Sequence, residues 1–274
     1  MKKLLSLLLI LSFSFGDVFT TIKNIIGEEK YQTYKELIQS TFKDQNSTLE
    51  EIITILEENG LIDLFFQSPQ TITPTFIFKN NNPIFNTHTL YKTLDRLGYY
   101  YFYPKKVSTY GNYSITIEMK STHHIDPLSF VQEIRNYGCE VIDIKNRGDY
   151  IYTIDCENER VNAYRLKDKT KSLINAKGEY WIDTNNFSKI SIKSSKLDSW
   201  YPYVVMYDKN LNIINLIAKR NIQKTLILNI PNECKYIKIR DNFTKENIKR
   251  GIFVKGLKWT TLRELKDFQT IFLQ

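Results

Sequence analysis

The sequence predicts a multidomain α+β protein. Its parts are N-terminal helices, a ferredoxin-like β-α-β-β-α-β unit with an added strand, and a C-terminal antiparallel β-sandwich or jelly roll. Three observations predict this class: helical periodicity dominates the first part of the chain, two helix-strand-strand segments repeat after Pro74, and short strands with frequent turns follow Gly178. The 274 residues are enough for two or more compact domains.

Residues 1–16 predict a cleavable signal peptide. Lys2 and Lys3 give a positive start, an apolar run extends from Leu4 to Phe15, and small residues end the segment. We expect cleavage after Gly16. The apolar run of about 12 residues is too short for a permanent span, which takes about 20 residues. An uncleaved N-terminal anchor is the alternative.

Export determines how the charge of the chain is interpreted. Removing the signal peptide takes away Lys2 and Lys3, so the formal net charge falls from +8 to +6. A basic protein in the periplasm or at the cell surface is attracted to anionic polymers, lipids or surface glycans, whereas nucleic acid is not expected there. No later segment is long and apolar enough to predict a stable membrane span.

Residues 17–70 predict a helical region. Asp17 can cap a short helix that ends at Gly27, and a second helix is expected over residues 28–42. Ser47-Thr48-Leu49-Glu50 matches a capping box, which opens a third helix. The apolar stripe of that helix needs a partner surface to bury it.

Residues 71–156 predict the ferredoxin-like domain. Segments 90–119 and 130–156 share one plan, in which a helix ends at Gly98 or Gly138 and two strands follow. The expected elements are strand 75–79, helix 85–97, strand 99–106, strand 113–120, helix 127–137, strand 139–145 and strand 150–155. This order predicts both helices on one face of an antiparallel sheet and a free opposite face.

Cys139 and Cys156 are predicted to lie opposite one another in a hairpin. A two-residue loop, Arg147-Gly148, would pair Asn146 with Asp149 and place the two cysteines in register. Their Cα atoms would then be about 4.5 Å apart, a separation that suits a disulfide. An oxidising compartment favours the bridge, and two free buried thiols are the alternative.

The remaining segments complete the domain plan. Residues 157–178 are polar and rich in lysine, which is typical of a linker. Residues 179–257 contain about seven expected short strands, a number typical of a β-sandwich domain. Residues 258–274 have apolar residues at helical spacing, so they predict a C-terminal helix that docks on a domain or, alternatively, binds a partner.

Two aromatic segments are the candidate binding sites. In Trp200-Tyr201-Pro202-Tyr203, a proline-stiffened loop could display aromatic rings to the apolar faces of sugar rings. The alternative is that Trp200 and Tyr203 close one end of the sandwich core. The second set lies on the open face of the ferredoxin-like sheet, with the outward parity left open: Tyr99, Tyr101, Tyr103, Ser114 and Thr116.

Catalytic and metal-binding signals are weak in this sequence. It contains no nucleophile elbow, P-loop, dinucleotide fingerprint or zinc helix, so we expect a non-enzymatic protein without a cofactor. His123, His124 and Asp126 could ligate a metal, but adjacent histidines diverge in most backbones, and we predict no metal site. Asn46 lies in a segment that resembles the acceptor of bacterial periplasmic N-glycosylation, and a capped turn is the alternative.

The paired units that end at Gly98 and Gly138 make residues 74–146 resemble the sporulation-related repeat (SPOR) domain. That resemblance implies binding of peptidoglycan glycan strands on the exposed sheet face. By strand count, the C-terminal region looks like the jelly-roll sandwiches of carbohydrate-binding modules. The whole chain is similar to uncharacterised periplasmic proteins of Campylobacter-like bacteria, a resemblance that implies no particular activity.

The sequence therefore predicts an exported, non-enzymatic envelope protein that binds glycan, either peptidoglycan or surface carbohydrate, or a partner protein. A structural subunit of an envelope machine, such as a flagellar or secretion assembly, is the first alternative. A hydrolase of envelope polymers is the second alternative, and two converging carboxylates would favour it.

Overall fold

The computed structural model describes residues 18–43, 47–166, 170–173, 178–184 and 187–258. These residues form a mixed α+β protein that divides into two units. The first unit comprises residues 1–81 and 90–158, and the second comprises residues 82–89 and 159–274. The predicted signal peptide and Asn46 lie outside the described residues, as does the predicted C-terminal helix beyond residue 258.

Six α-helices lie among the described residues: α1 (Val18–Ile26), α2 (Glu28–Thr33), α3 (Lys35–Thr41), α4 (Leu49–Glu58), α5 (Pro83–Arg96) and α6 (Pro127–Ile134). The expected helix over residues 28–42 is divided at Tyr34, whose backbone leaves the helical region. The capping box of α4 forms one residue later than predicted, because Thr48 and Glu51 exchange the two hydrogen bonds. None of the described helices is long and apolar enough to cross a membrane.

In the first unit, the described residues form one sheet of six strands: β1 (Phe65–Ile72), β2 (Thr75–Phe78), β3 (Tyr103–Ser108), β4 (Tyr113–His123), β5 (Glu140–Asn146) and β6 (Tyr150–Asp155). Ile72 pairs with Met119 and Thr75 with Thr116, so β1 and β2 follow β4 in one continuous register. They are two halves of one strand that is interrupted at Pro74, where the proline ring leaves no N–H for the ladder.

The position of β6 differs from the expected antiparallel sheet. This strand was the predicted addition to the β-α-β-β-α-β unit, and it lies between β2 and β5. Its pairing with β2 is parallel, whereas the other pairs of this sheet are antiparallel. The sheet is therefore mixed, and the chain passes through α5, β3, β4, α6 and β5 before β6 returns to lie parallel to β2.

The hairpin between β5 and β6 has a longer loop than predicted. Asn146 pairs with Tyr150 rather than with Asp149, so residues 147–149 form the loop. Asp149 leaves the ladder because its Oδ2 accepts hydrogen bonds from the backbone N and the Oγ1 of Thr73, at 2.7 and 2.8 Å. A tertiary contact thus overrides the local turn preference.

A bulge restores the predicted register farther along this hairpin. The pairing shifts by one residue between Val141 and Asp143, which offsets the extra loop residue. Cys139 and Cys156 consequently lie opposite one another, with Cα atoms 4.1 Å apart, and they form a disulfide. The predicted cysteine pair is the one that the structure joins, although the loop that led to it was predicted one residue too short.

Alternate residues of the sheet define its two faces. Odd-numbered residues of β4 from Tyr113 to Met119 are buried, whereas Ser114 and Thr116 lie on the opposite, partly exposed face. The buried face shares one core with the N-terminal helices, so the predicted helical region belongs to the same unit as the sheet. Its members include Ile22, Ile53, Leu56, Phe76, Ile115, Phe130, Ile134, Tyr152 and Ile154.

The described residues of the second unit form nine strands: β7 (Tyr164–Arg165), β8 (Thr170–Leu173), β9 (Glu179–Asp183), β10 (Phe187–Ser194), β11 (Pro202–Tyr207), β12 (Ile213–Ala218), β13 (Thr225–Asn229), β14 (Tyr236–Asp241) and β15 (Ile252–Lys258). One sheet has the order β13-β10-β15-β8, and the other has the order β12-β11-β14-β9-β7. Strands β7 and β8 fall within the predicted linker, where each extends a sheet.

Both sheets contribute to one core in the second unit. Inward side chains come from alternate positions of β9, β10, β11, β14 and β15, and they include Tyr180, Ile182, Ile190, Ile192, Val204, Met206, Ile237, Ile239 and Val254. The outward positions of the five-stranded sheet are then available to carry a site.

Candidate functional site

Trp200 lies in the core of the second unit. Its side chain is 0% exposed, and its Nε1 donates a hydrogen bond to the carbonyl oxygen of Arg240 at 3.1 Å. The residue therefore fits the core alternative and cannot stack against a ligand. Its position instead anchors the start of β11 to the end of β14.

Tyr201 and Phe243 form an edge-to-face pair at one end of the five-stranded sheet. Their ring centroids are 4.9 Å apart, and Phe243 is 64% exposed. The buried carboxylate of Asp241 holds both loops, because it accepts hydrogen bonds from the backbone N of Tyr201 at 2.7 Å and of Phe243 at 2.8 Å. It also accepts from the backbone N of Thr244 and from Nδ2 of Asn247. The two rings are therefore held in place before any ligand arrives.

An exposed arginine lies beside this pair. Tyr203 and Arg240 are partners on adjacent strands, and the guanidinium lies 5.0 Å from the tyrosine ring centroid, a cation–π distance. The carboxylate of Glu179, the partner of Arg240 on β9, is engaged by Nε1 of Trp181 at 2.9 Å and by Nζ of Lys238 at 3.2 Å. Among the described residues, no carboxylate forms an ion pair with Arg240.

We call Tyr201, Tyr203, Arg240 and Phe243 the aromatic platform. Sequence reasoning singled out the two tyrosines but missed Arg240 and Phe243. The available signal was an aromatic residue inside the polar turn Asp241-Asn242-Phe243-Thr244, directly after a strand. Apolar residues of the edge strand β12 share this outer face, since Leu216 pairs with Val205 and both point away from the core. Leu216 and Ile213 are exposed.

The rest of this outer face is covered. Trp181 and Tyr207 stack with their centroids 5.2 Å apart, and they belong to a small cluster with Phe85, Val161 and Leu211. Burial raises the pKa of the Tyr207 hydroxyl above its ordinary value. The accessible part of the face is therefore the aromatic platform and the adjoining side of β12.

Tyr99 of the first unit is partly buried and serves a structural role. Its hydroxyl lies 3.1 Å from Nδ1 of His123 and donates a hydrogen bond to the carbonyl oxygen of His124 at 3.2 Å. Burial raises the pKa of Tyr99 to about 12, so the hydroxyl stays protonated. We therefore do not expect Tyr99 to contact a ligand directly.

Four other tyrosines are exposed along β3 and its flanking turns. Tyr101 is 91% exposed and Tyr110 is 96% exposed, and Tyr100 and Tyr103 are also exposed. The sequence indicated Tyr101 and Tyr103 but missed the other two. We call these four residues the tyrosine surface. The Tyr103 hydroxyl donates to Glu118, whose carboxylate also forms an ion pair with Lys105 at 2.7 Å.

Ser114 and Thr116 lie on the open face of the first sheet, so the even-numbered residues of this part of β4 face outward. Thr116 Oγ1 lies 2.9 Å from Thr75 Oγ1 on the neighbouring strand, and both side chains are partly exposed. This row is polar and shallow. It is therefore a weaker candidate for stacking interactions than the tyrosine surface.

The carboxyl of Glu57, on α4, lies close to Asp126 at the start of α6. Burial and the neighbouring Asp126 raise the pKa of Glu57 to about 7. Asp126 caps α6, since it accepts hydrogen bonds from the backbone N of Leu128 at 3.0 Å and from the hydroxyl of Ser129. Both oxygens of Asp126 are therefore occupied by the cap, and this pair is better explained by packing than by hydrolysis.

His123 and His124, the two histidines considered as metal ligands, contact different partners. His124 Nδ1 faces Oδ1 of Asp149 at 3.6 Å, whereas His123 faces Tyr99. Burial lowers the pKa of His124, which favours the neutral ring. In the part of the chain that the structure describes, no group of three or more His, Cys, Asp and Glu side chains is arranged to hold a metal ion.

Comparisons with known proteins identify no family. No protein-family profile and no curated protein sequence matches the chain. Among solved structures, the secreted serine protease VesC from Vibrio cholerae aligns with 56% of this chain and 38% of its own length, at 8% identity and a TM-score of 0.21. The chain spans less than half of that protein, and a likeness at this level carries no argument about fold or activity.

Proposed function

We propose that this chain is an exported, non-enzymatic envelope protein that binds a carboxylate-bearing glycan at the aromatic platform. The observation that carries the proposal is a fixed pair of aromatic rings beside an exposed arginine with no carboxylate partner among the described residues. Peptidoglycan is the natural first probe, because its peptide stems carry carboxylates.

The aromatic rings would supply the stacking contact. Aromatic side chains offer a broad apolar face that suits the C–H faces of a sugar ring. Ordering a flexible side chain on binding costs about 0.5–1.5 kcal/mol. Tyr201 and Phe243 avoid much of this cost, because Asp241 already holds the backbone that carries both rings.

Arg240 would select the charge of the ligand. A guanidinium recognises a carboxylate through two parallel hydrogen bonds, which are stronger than neutral ones. The Tyr203 ring holds the guanidinium against the sheet at 5.0 Å from the ring centroid. A neutral glycan would therefore bind less tightly than an acidic glycan of the same size.

The expected cellular location supports this ligand class. The N-terminal segment predicts export, and the basic composition favours attraction to an anionic envelope polymer. We also propose that the first unit is a ferredoxin-like sheet in which β6 is inserted between β2 and β5, in keeping with the SPOR resemblance. The second unit is proposed to be a jelly roll, because eight successive strands, β8–β15, form the orders β8-β15-β10-β13 and β9-β14-β11-β12.

Binding to purified sacculi tests the proposal. The chain without residues 1–16 is mixed with peptidoglycan sacculi, and its apparent affinity is measured by co-sedimentation; a glycan array is probed in parallel. Arg240→Gln should weaken binding about tenfold or more, since a hydrogen bond to a charged group contributes about 1.5–3 kcal/mol. Phe243→Ala should weaken binding through the lost stacking surface.

Matched control variants distinguish binding at the aromatic platform from general effects of charge and hydrophobicity. Arg147→Gln removes an exposed arginine from the first unit, and Phe65→Ala removes an exposed phenylalanine there. Both controls should bind like the parent chain. The proposal fails when the parent binds neither sacculi nor arrayed glycans, or when the Arg240 and Phe243 variants bind as well as the controls.

A second candidate function is that of a structural subunit in an envelope assembly. The observation that favours it is the exposed apolar side of the edge strand β12, at Ile213 and Leu216. Apolar patches of this kind are typical of protein interfaces. Recovery of a stoichiometric partner from envelope extracts, abolished by Leu216→Asp with glycan binding unchanged, would support this function.

A further inference from the structure

The edge strands of the described sheets differ in how well they are protected against strand addition. An edge presents unpaired N–H and C=O groups to other chains, and prolines, charges, bulges or short length normally protect it. In the first unit, β1 contains Pro69, β3 contains Pro104, and β5 contains a bulge and charged residues. In the second unit, β7 has two residues and β8 has four. These five edges are poor templates for an added strand.

The strand β12, at the edge of the five-stranded sheet, lacks this protection. It pairs with β11 alone among the described strands, and Ile213–Ala218 contains no proline, glycine or charged residue. The irregularity in its pairing lies before Asn215, so the rest of the strand runs in unbroken register with β11. An apolar edge of this kind is a ready template for another strand.

Unused backbone groups of β12 point away from β11. The backbone N of Lys219 donates to the carbonyl oxygen of Pro202 on β11 at 2.8 Å, in continuation of the register. Because bonded and non-bonded pairs alternate along an antiparallel ladder, Ala218 and Leu216 direct their N–H and C=O groups outward. The N–H of Leu216 accordingly has no strand partner among the described residues and donates to Oδ1 of the adjacent Asn215 side chain at 2.8 Å. An added strand would replace this local bond with a ladder bond.

The side chains around β12 define the partner that would fit. An added strand continues both faces of the sheet, so every second residue of it would lie beside Ile217, which is partly exposed at the border of the core. Apolar residues suit these positions. Beyond the strand, Lys219 and Arg220 are exposed and form no ion pair with a carboxylate among the described residues. Acidic residues at the end of the partner strand would pair with these two cations.

A second copy of this chain fits the edge less well than a different protein. The chain carries a formal net charge of +8, so two copies repel one another. In an antiparallel pair of β12 strands, the end that carries Lys219 and Arg220 would also meet the end that follows Lys209. That contact brings like charges together, which is destabilising.

We propose that β12 binds an extended segment of a partner protein as an added strand, a segment with apolar residues at alternate positions and acidic residues where it meets Lys219 and Arg220. Backbone hydrogen bonds then supply affinity, and the side chains supply specificity. This inference goes beyond glycan binding at the aromatic platform and gives the second candidate function its mode of contact. It uses residues of the second unit alone.

A pair of synthetic peptides tests the inference on the chain without residues 1–16. The acidic peptide alternates valine and threonine between glutamates at both ends, and the basic peptide has lysines in place of the glutamates. The acidic peptide should bind the parent saturably in fluorescence anisotropy, and about tenfold more tightly than the basic peptide, because exposed charge pairs change from attractive to repulsive. At about ten times its dissociation constant, it should slow hydrogen exchange at the amides of Leu216 and Ala218 about tenfold.

Two variants test the backbone and the charges separately. Leu216→Pro removes an N–H that faces away from β11, so it should weaken binding of the acidic peptide about tenfold, whereas Leu216→Val keeps the N–H and should bind within about twofold of the parent. Lys219→Glu/Arg220→Glu should reverse the preference between the two peptides. Its matched control, Lys120→Glu/Arg147→Glu at exposed cations of the first unit, should leave that preference unchanged. Should Leu216→Pro fail to fold, as tryptophan fluorescence would show, the charge reversal carries the test alone.

The remaining outcomes each count against the inference. Absence of saturable binding by the acidic peptide overturns it, as does equal affinity for both peptides. Slower exchange in β13, the other uncharged edge strand, rather than in β12 would place the added strand elsewhere and also overturns it. A parent dimer in analytical ultracentrifugation that Leu216→Pro abolishes would make a second copy the occupant, and the inference is then wrong. None of these measurements uses sacculi, so glycan binding and strand addition fail independently.

Discussion

Loss of the Cys139–Cys156 disulfide should destabilise the first unit by about 3 kcal/mol. The bridge joins residues separated by 17 positions in the sequence. For a loop of this length, the chain-entropy relation predicts that the bridge removes about 10.5 cal/mol/K from the unfolded state, or about 3 kcal/mol at 25 °C. The double variant Cys139→Ala/Cys156→Ala should show this loss, and reduction of the parent should show it without a change in side-chain volume.

The two units allow the effect to be localised. The described tryptophans, Trp181 and Trp200, belong to the second unit, so we expect tryptophan fluorescence during urea unfolding to report that unit. Hydrogen exchange of the β5 and β6 amides reports the first unit. A loss of about 3 kcal/mol corresponds to exchange about a hundredfold faster at amides that open with global unfolding.

The second unit acts as an internal control. Its tryptophan-monitored transition should not move when the disulfide is removed. The reasoning is refuted when reduced and oxidised protein exchange these amides within about threefold of each other, since the entropy argument then has no measurable effect. It is also refuted when both units lose stability equally.

Two further predictions concern the two cores. The pKa of Glu57 is raised from 4.5 to about 7 in the folded chain, so its contribution to stability is fully present below pH 4.5 and is lost as the pH rises through about 7. Glu57→Gln should flatten this dependence, as measured by circular dichroism melts of the first unit at pH 5 and 7.5; a variant with the parent's pH slope would contradict it. Trp200→Ala should lower the free energy of unfolding of the second unit by about 3–5 kcal/mol because it empties a fully buried site, and Trp181 fluorescence in urea measures this; an unchanged midpoint would show that the core collapses around the gap.

Local signals predicted most of the helices and strands. The start of α6 follows from Asp126 as the N-cap and Pro127 at the first helical position, both of which act within one turn. The strands Glu179–Asp183 and Tyr236–Asp241 lie in the segment 179–257, where the sequence predicted short strands. Such features need no distant residue, and the sequence alone therefore specifies them.

The sheet orders could not be derived in this way. The parallel pairing of β2 with β6 joins segments that are about 75 residues apart, and no local pattern encodes it. The loop at residues 147–149 was predicted one residue too short, because Asp149 binds Thr73 from a distant segment. The prediction that the two cysteines lie opposite one another is still correct, because a bulge restores the register of the hairpin.

The candidate site shows the same division. The sequence by itself determined the high content of aromatic residues and the basic charge. It also predicted export and the cysteine pair that the structure joins, since these depend on residue identity and local spacing. Only the tertiary structure decided that Trp200 is buried, that Phe243 is exposed beside Tyr201, and that Arg240 lies against Tyr203. Exposure and neighbourhood depend on which strands pair and which face is covered, and those are properties of the folded chain as a whole.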